Sequence, residues 1–339
     1  MRRLARIRLS RPVRIALNIV VTGGIVAFLL WQIDVGRTLS LIGDAGVWPL
    51  LGALAIFVAT TGLMAWRWKL LLAAKGIDEP MTWLTKNYFI GYAAGQVLPT
   101  SLGGDAIRII EHARRRPAAK GEAAGAVLIE RGLGSVGTLV LVAVGLALAV
   151  GRYDDVEVFY VLEGGFLAAS VAMAWLLFSK RGGRVLARLG PVGRFLRIEG
   201  AMRSLYDALH GYRRHPRTLA LVIGITLVSQ SARLIAIWLA GEAVGVELSP
   251  LPYFVLGPLL FLVMMVPFTI NGLGVREAFF VAFLGRFDVG ADEAFATGFL
   301  FYAVTIATSV PGGVILLWRS LRPVLGREPR RAEADVQPD

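Results

Sequence analysis

Long apolar stretches recur along this chain at about 14–33, 47–66, 83–98, 124–150, 158–179, 218–240, 252–271, 275–285 and 294–318. Several approach the ~20 residues that a helix needs to cross a hydrocarbon core. The basic residues between them are unevenly shared. Six fall in 2–14, four in 67–86, five in 108–120, ten in 180–217 and five in 319–331, against one in 34–46, one in 151–157, none in 241–252 and one in 286–293. Loops rich in Lys and Arg stay on the cytoplasmic side of a membrane. Simple alternation fails twice, because 67–86 and 108–120 are both rich while 241–252 and 286–293 are both poor. The pattern therefore predicts that 83–107 dips in from the cytoplasm and returns, and that 252–285 dips in from outside and returns. Six full crossings remain, with both termini cytoplasmic.

Divided near residue 155, the chain reads as the same series twice: span, span, re-entrant hairpin, span. The second series starts on the opposite side, since three crossings separate the two. The predicted fold is an all-α polytopic membrane protein with six transmembrane helices and two re-entrant hairpins arranged as an inverted-topology repeat, a layout in which broken elements meet near the midplane. Residues 1–155 form the first repeat and 156–320 the second, with 180–217 inserted in the latter and 321–339 as a disordered cytoplasmic tail. Both hairpin tips carry helix breakers followed by charge: Pro99, Thr100, Gly103, Gly104, Asp105 and Arg108 in the first, Pro267, Thr269, Asn271, Gly272, Gly274, Arg276 and Glu277 in the second. Proline removes a backbone donor and glycine permits turns closed to other residues, so both tips are predicted to be non-helical. Backbone left open at membrane depth needs protein or water to satisfy it.

Composition agrees with the pattern: 56% hydrophobic residues, a mean hydropathy of +0.64 and 18% charged residues. The net charge of +12 belongs to basic loops that interrupt apolar spans, so nucleic acid is not an expected partner. The absence of Cys excludes thiol catalysis and Cys-ligated metals. The arginine-rich N-terminus before the first apolar run resembles a signal peptide, but its run is long and no small-residue cleavage site follows, which predicts a retained span. No Gly-Lys-Ser/Thr element supports ATP binding, and Gly132 to Gly137 fits a dinucleotide fingerprint without the strand it requires. Small residues at helix contacts explain that run and the Gly91–Gly95 pair better. His112, His210 and His215 lack metal-ligand spacing; no cofactor and no metal are expected. In 180–217, Phe195, Ile198, Met202, Leu205, Leu209 and Tyr212 make an apolar helical stripe among arginines. It suits either anionic lipid at the cytoplasmic surface or packing on the bundle.

Most informative are the charges within apolar spans: Arg131, Arg233 and Arg276, with Asp105, Glu130 and Glu277. An ionisable side chain at the bilayer centre costs about 2.5–3.5 kcal/mol on insertion scales, and such residues face a protein interior or a wet path. Glu130 and Arg131 are adjacent, hence about 100° apart on a helix, and each needs a partner elsewhere. The hairpins are the expected source. Arg233 either lines a cavity or pairs with Glu242, and ranks below the hairpin residues.

With these residues in order, from Trp66-Arg67-Trp68-Lys69 through Gly91-Tyr92, Leu98-Pro99, Gly103-Gly104-Asp105, Arg108 and Glu130-Arg131-Gly132 to Pro267, Asn271-Gly272-Leu273-Gly274-Val275-Arg276-Glu277 and Pro311-Gly312-Gly313, the chain resembles the membrane domain of the lysylphosphatidylglycerol synthase/flippase family. The resemblance implies lipid movement between leaflets. The sequence ends at Asp339 without a counterpart of that family's soluble domain, so no aminoacyl transfer is expected. Gln96 stands where the family pattern leads one to look for Asn.

The expected function is that of a bacterial inner-membrane lipid transporter, not an enzyme, with a charged midplane cavity formed by Asp105, Arg108, Glu130, Arg131, Arg233, Asn271, Arg276 and Glu277. Arginine forks grip phosphate, and carboxylates compensate them or meet a cationic head group. Internal ion pairing that fixes helix packing is the bland alternative for the same residues. A membrane-embedded lipid-modifying enzyme, or an accessory subunit of lipid or glycolipid synthesis, is the other functional reading, with a separate synthesising enzyme as partner. On the transport reading, Arg276→Ala and Glu130→Ala should each abolish lipid movement in proteoliposomes while the protein still folds and inserts.

Overall fold

The computed structural model describes residues 27–97, 103–149, 214–264 and 274–325, with Val161, Gly164, Gly165, Leu167, Ala168 and Tyr212. Among them all regular structure is helical. The principal elements are α1 (Val35–Gly43), α2 (Val47–Ala73), α3 (Met81–Val97), α4 (Gly103–Arg115), α5 (Lys120–Ala149), α6 (Pro216–Glu242), α7 (Leu251–Val263), α8 (Val275–Leu284) and α9 (Ala291–Leu325). Stretches within α2, α6 and α9, and one from Pro117 to Gly145 that includes most of α5, are long and apolar enough to cross a membrane. The chain is a multi-pass membrane protein. Most of the expected spans 14–33 and 158–179, the insertion 180–211, and Pro99, Pro267, Asn271 and Gly272 at the tips lie outside the described residues. Of the apolar stripe in the insertion, Tyr212 is described: it is buried, its hydroxyl donates to Leu71 O at 2.9 Å, and Lys75 lies 4.5 Å from its ring.

Two boundaries differ from the sequence reading. Helix α2 runs on to Ala73, beyond the expected end at 66, which places Arg67 inside a helix and not in a loop. Helix α9 continues to Leu325, into the segment expected as tail. An ion pair from Arg319 to Glu111 of α4, at 2.7 Å, ties this extension to the bundle.

α2 and α6 are both 27 residues long and end alike. After α2, the Ile77 amide donates to Leu72 O and Gly76 turns at φ +74°; after α6, the Val246 amide donates to Gly241 O and Gly245 turns at φ +83°. Both are glycine C-caps that close the last carbonyls of a helix. Beyond them Pro80 and Pro250 open α3 and α7, each accepting from two amides of the next helix. The two long helices run antiparallel: the Gly46 amide, before α2, donates to Ala243 O, after α6, at 2.7 Å, and Arg67 near the end of α2 bonds Thr226 in the first half of α6 at 2.9 Å.

The packing repeats in the same sense. α3 packs on α9 and α5 on α7; α4 on α5 and α8 on α9; α2 on α3 and α6 on α7; α2 on α9 and α6 on α5. Exchange of the two halves maps each of these pairs onto its counterpart. The exposed residues of the long helices, such as Val58, Val136, Val228 and Val314, are the apolar ones that lipid requires, and Trp31, Trp48, Trp66 and Trp318 are exposed as interfacial tryptophans are.

One crossing is tight enough to test. A β-carbon on Gly312 of α9 would lie 1.9 Å from Phe89 O of α3, whereas one on Gly313 would meet nothing within 4 Å. Gly312→Ala should force α3 and α9 apart at a cost of about 1–3 kcal/mol, the usual range for overpacking. Thermal unfolding in detergent should show a lowered Tm for Gly312→Ala and little change for Gly313→Ala.

Candidate functional site

Two charge clusters and one cavity hold the described ionisable residues that the sequence placed within apolar spans. The first cluster centres on Glu130 of α5. Its Oε1 accepts from Arg67 Nε at 3.1 Å and from the Tyr88 hydroxyl, and its Oε2 accepts from Arg108 Nη2 at 2.7 Å. Arg67 also donates through Nη1 to Thr226. The Arg108 guanidinium lies 3.7 Å from the Tyr88 ring and 4.3 Å from that of Trp68. Its Nη1 donates to Asp105 Oδ1 at 3.1 Å, and Asp105 Oδ2 accepts from Arg131 Nε at 2.5 Å. Glu130 and Arg131 thus take separate partners on α4, as their angular separation on a helix requires. Helix α4 supplies both. Gly104 permits this approach, because a β-carbon there would stand 2.5 Å from Gly91 O on α3.

The second cluster opens α8. Gly274, at φ +82°, turns the chain inward, and its amide donates to Glu277 Oε2 at 2.7 Å. Glu277 Oε1 accepts from Arg276 Nε at 3.0 Å, and the Arg276 guanidinium lies 4.1 Å from the Tyr302 ring of α9. Here adjacent residues do pair, because Glu277 folds back over the helix start and the long Arg276 side chain follows it. Asp105 and Glu277 occupy corresponding places, in the first turns of α4 and α8, where a helix N-terminus favours negative charge.

Arg233 belongs to neither cluster. It lies on the wall of a cavity of about 220 Å³ midway along the bundle, with Phe57 of α2, Tyr92 and Gln96 of α3. Leu260 and Phe261 of α7, Met264 beyond it, and Phe301, Thr305 and Thr308 of α9 complete the wall. Arg233 Nη2 donates to the Tyr92 hydroxyl, and its Nε is buried without an acceptor. It forms no ion pair with Glu242, which is exposed. Gln96, in doubt as a site residue from sequence, lines this cavity. Asp105, Arg108, Glu130, Arg131, Arg276 and Glu277 do not. Thr60 and Thr61, near-equivalents of the Arg233 region in the other half, donate to Phe57 O within their own helix.

Arg67 and Tyr92 entered the sequence reading as part of the family resemblance and not as site residues, and Tyr88, Thr226 and Tyr302 did not enter it. Arg67 carried a usable signal, since it is flanked by Trp66 and Trp68 at the end of an apolar run. The tyrosines carried none. His112, expected in a cytoplasmic loop, is buried between Trp68 and Trp83, 3.8 Å from a fully buried Glu79 that Arg115 and Arg116 hold at 3.0 and 2.6 Å.

The geometry revises the expectation for Glu130. Removing one partner of a buried ion pair typically costs about 3–5 kcal/mol, because the charge left behind stays desolvated. Glu130→Gln should therefore destabilise the folded protein by that order, since it strands Arg67 and leaves Arg108 with Asp105 alone among the described carboxylates. Tyr88→Phe, which removes one hydrogen bond, should cost nearer 1–2 kcal/mol, more than a neutral bond because the acceptor is charged. Unfolding in detergent, followed by tryptophan fluorescence, ranks the two; equal stability for Glu130→Gln and the unaltered protein would contradict the structural role.

The family model described as the lysylphosphatidylglycerol synthase TM region matches residues 15–313. The chain is also similar to a Haloferax volcanii protein named Glycosyltransferase AglD, 26% identical over 347 residues. That similarity covers 91% of this chain and 55% of the relative, so the chain spans little more than half the relative's length. By the extent of the family match, from before the first described helix to within α9, the chain belongs to the lysylphosphatidylglycerol synthase transmembrane-region family.

Proposed function

We propose that this protein moves a polar-headed lipid between the leaflets of the bacterial inner membrane by exposing the Arg233 cavity to each side in turn. The observation that carries the reading is a cavity deep in the bundle with a guanidinium on an otherwise largely apolar wall, built from helices of both halves. A transporter of this kind needs a place for a head group that lipid cannot solvate, and walls that can close from either side. The exchange pattern of helix contacts and the antiparallel α2 and α6 support two repeats of opposite direction. Their broken elements are the re-entrant hairpins α3–α4 and α7–α8, with both termini cytoplasmic. The charge clusters brace the hairpin arms against the long helices, and the cavity receives the head group.

A second reading draws on the similarity to a protein named as a glycosyltransferase. It makes the chain a membrane component of lipid or glycolipid synthesis that acts with a separate enzyme. The two differ in their product. In proteoliposomes carrying a lipid labelled on its head group, transport predicts that label in the inner leaflet becomes accessible to an outside quencher while the lipid's mass stays unchanged. Arg233→Gln should lower that rate about tenfold or more, in line with a lost charge-assisted contact worth about 1.5–3 kcal/mol. A lipid of altered mass, or a rate no higher than in protein-free vesicles, would count against transport.

A further inference from the structure

We infer that the Arg233 cavity selects lipids with an anionic head group and turns away cationic ones. The inference rests on the transport reading only in treating the cavity as the head-group site. Arg67 and Arg233 both approach Met64 Sδ, within 3.8 and 4.0 Å, and so stand on either side of one sulfur in the same bundle. Arg67 is neutralised by Glu130. No carboxylate among the described residues pairs with Arg233, whose Nε–H is buried without an acceptor. A partly buried guanidinium with no counter-ion has lost part of its hydration, and an anionic oxygen brought by a ligand offsets that loss.

The carboxylates that might welcome a cation are committed elsewhere. Asp105 is held by Arg108 and Arg131, Glu130 by Arg67 and Arg108, and Glu277 by Arg276 and the Gly274 amide. A cationic head group entering the cavity would meet Arg233 with no carboxylate on the described wall to offset the repulsion. Tyr92 completes a donor pair: its hydroxyl accepts from Arg233 and keeps its own hydrogen for a second partner. Thr305 and Thr308 spend their hydroxyl hydrogens on Tyr302 O and Val304 O, at 2.7 and 2.8 Å, and offer lone pairs to head-group hydroxyls. The phenyl and aliphatic remainder of the wall favours a lipid over a free anion. At about 220 Å³ the space is below the roughly 300–1,000 Å³ of ligand pockets, enough for a head group while the acyl chains stay outside.

The test is lipid binding by the full chain in neutral detergent, read by native mass spectrometry, with four probes. Three share the same two acyl chains: phosphatidylglycerol, phosphatidylcholine and a trimethylammonium diacylglycerol analogue. The fourth is the water-soluble glycerophosphoglycerol head group. Phosphatidylglycerol should bind at least tenfold tighter than the other three. Arg233→Gln should erase most of that preference, Arg233→Lys should keep much of it, and Tyr92→Phe should weaken phosphatidylglycerol about threefold with phosphatidylcholine unchanged. The basic loops are the same in every variant, so anionic lipid held at the surface does not follow these substitutions. Should Arg233→Gln fail to fold, the Lys and Phe variants still decide. Equal affinity for the anionic and cationic lipids, or a preference untouched by the Arg233 and Tyr92 variants, would overturn the inference, and head-group binding as tight as that of the whole lipid would overturn the lipid assignment. Selective binding without movement in proteoliposomes removes the transport reading and leaves this one; movement without charge preference does the reverse.

Discussion

A guanidinium or carboxylate placed among helices in lipid must find its counter-charge inside the protein, and most of this architecture follows from that requirement. Glu130 is the point where it is met most fully. Its two oxygens draw Arg67 from α2, Tyr88 from α3 and Arg108 from α4 to α5, and Arg67 extends the network to Thr226 on α6. Helices in a bilayer gain little from burying apolar surface against one another, because the lipid tails are equally apolar. Charge-assisted bonds and close backbone contacts such as Gly91 with Gly104 therefore take over the work of specifying which helix packs where. Such a network fixes one arrangement sharply, since any slip would strand a charge.

The sequence disclosed the class, the positions of the long helices and six of the embedded charges, because each depends on composition over a window of residues. It also disclosed that Glu130 and Arg131 must look in different directions. It did not disclose which charges pair, since Arg67–Glu130 and Arg108–Glu130 join residues distant in the chain and depend on helix contacts that periodicity cannot supply. Arg67 was hidden for a simpler reason: with Lys69 and Lys75 nearby it looked like a loop, yet α2 continues past all but the last of them. The sequence reading also took six charges, four on the hairpins and Glu130 and Arg131 on the following span, as the walls of one midplane cavity. They are charged and embedded, but the described structure pairs each with an opposite charge, and the residue on the cavity wall is the one ranked lower, Arg233.

That outcome has a geometric logic in the two halves. The matching caps, Ala74 to Ile77 after α2 and Ala243 to Val246 after α6, align the long helices residue by residue, so Phe57 corresponds to Thr226 and Met64 to Arg233. The crossing of Phe57 with Arg233 therefore has an image in Thr226 with Met64. At that image Arg67 bonds Thr226 and touches Met64, and Glu130 closes the space with its own carboxylate. At the original crossing the guanidinium is Arg233, the corresponding space is a cavity, and no described carboxylate enters it. One backbone frame thus appears twice, once closed by an internal carboxylate and once lined by a guanidinium without one among the described residues. On the transport reading proposed above, two halves alike in packing and unlike in charge would treat the two sides differently: opening the closed crossing would part a buried ion pair, whereas an anionic head group at the other would supply the counter-charge that Arg233 lacks.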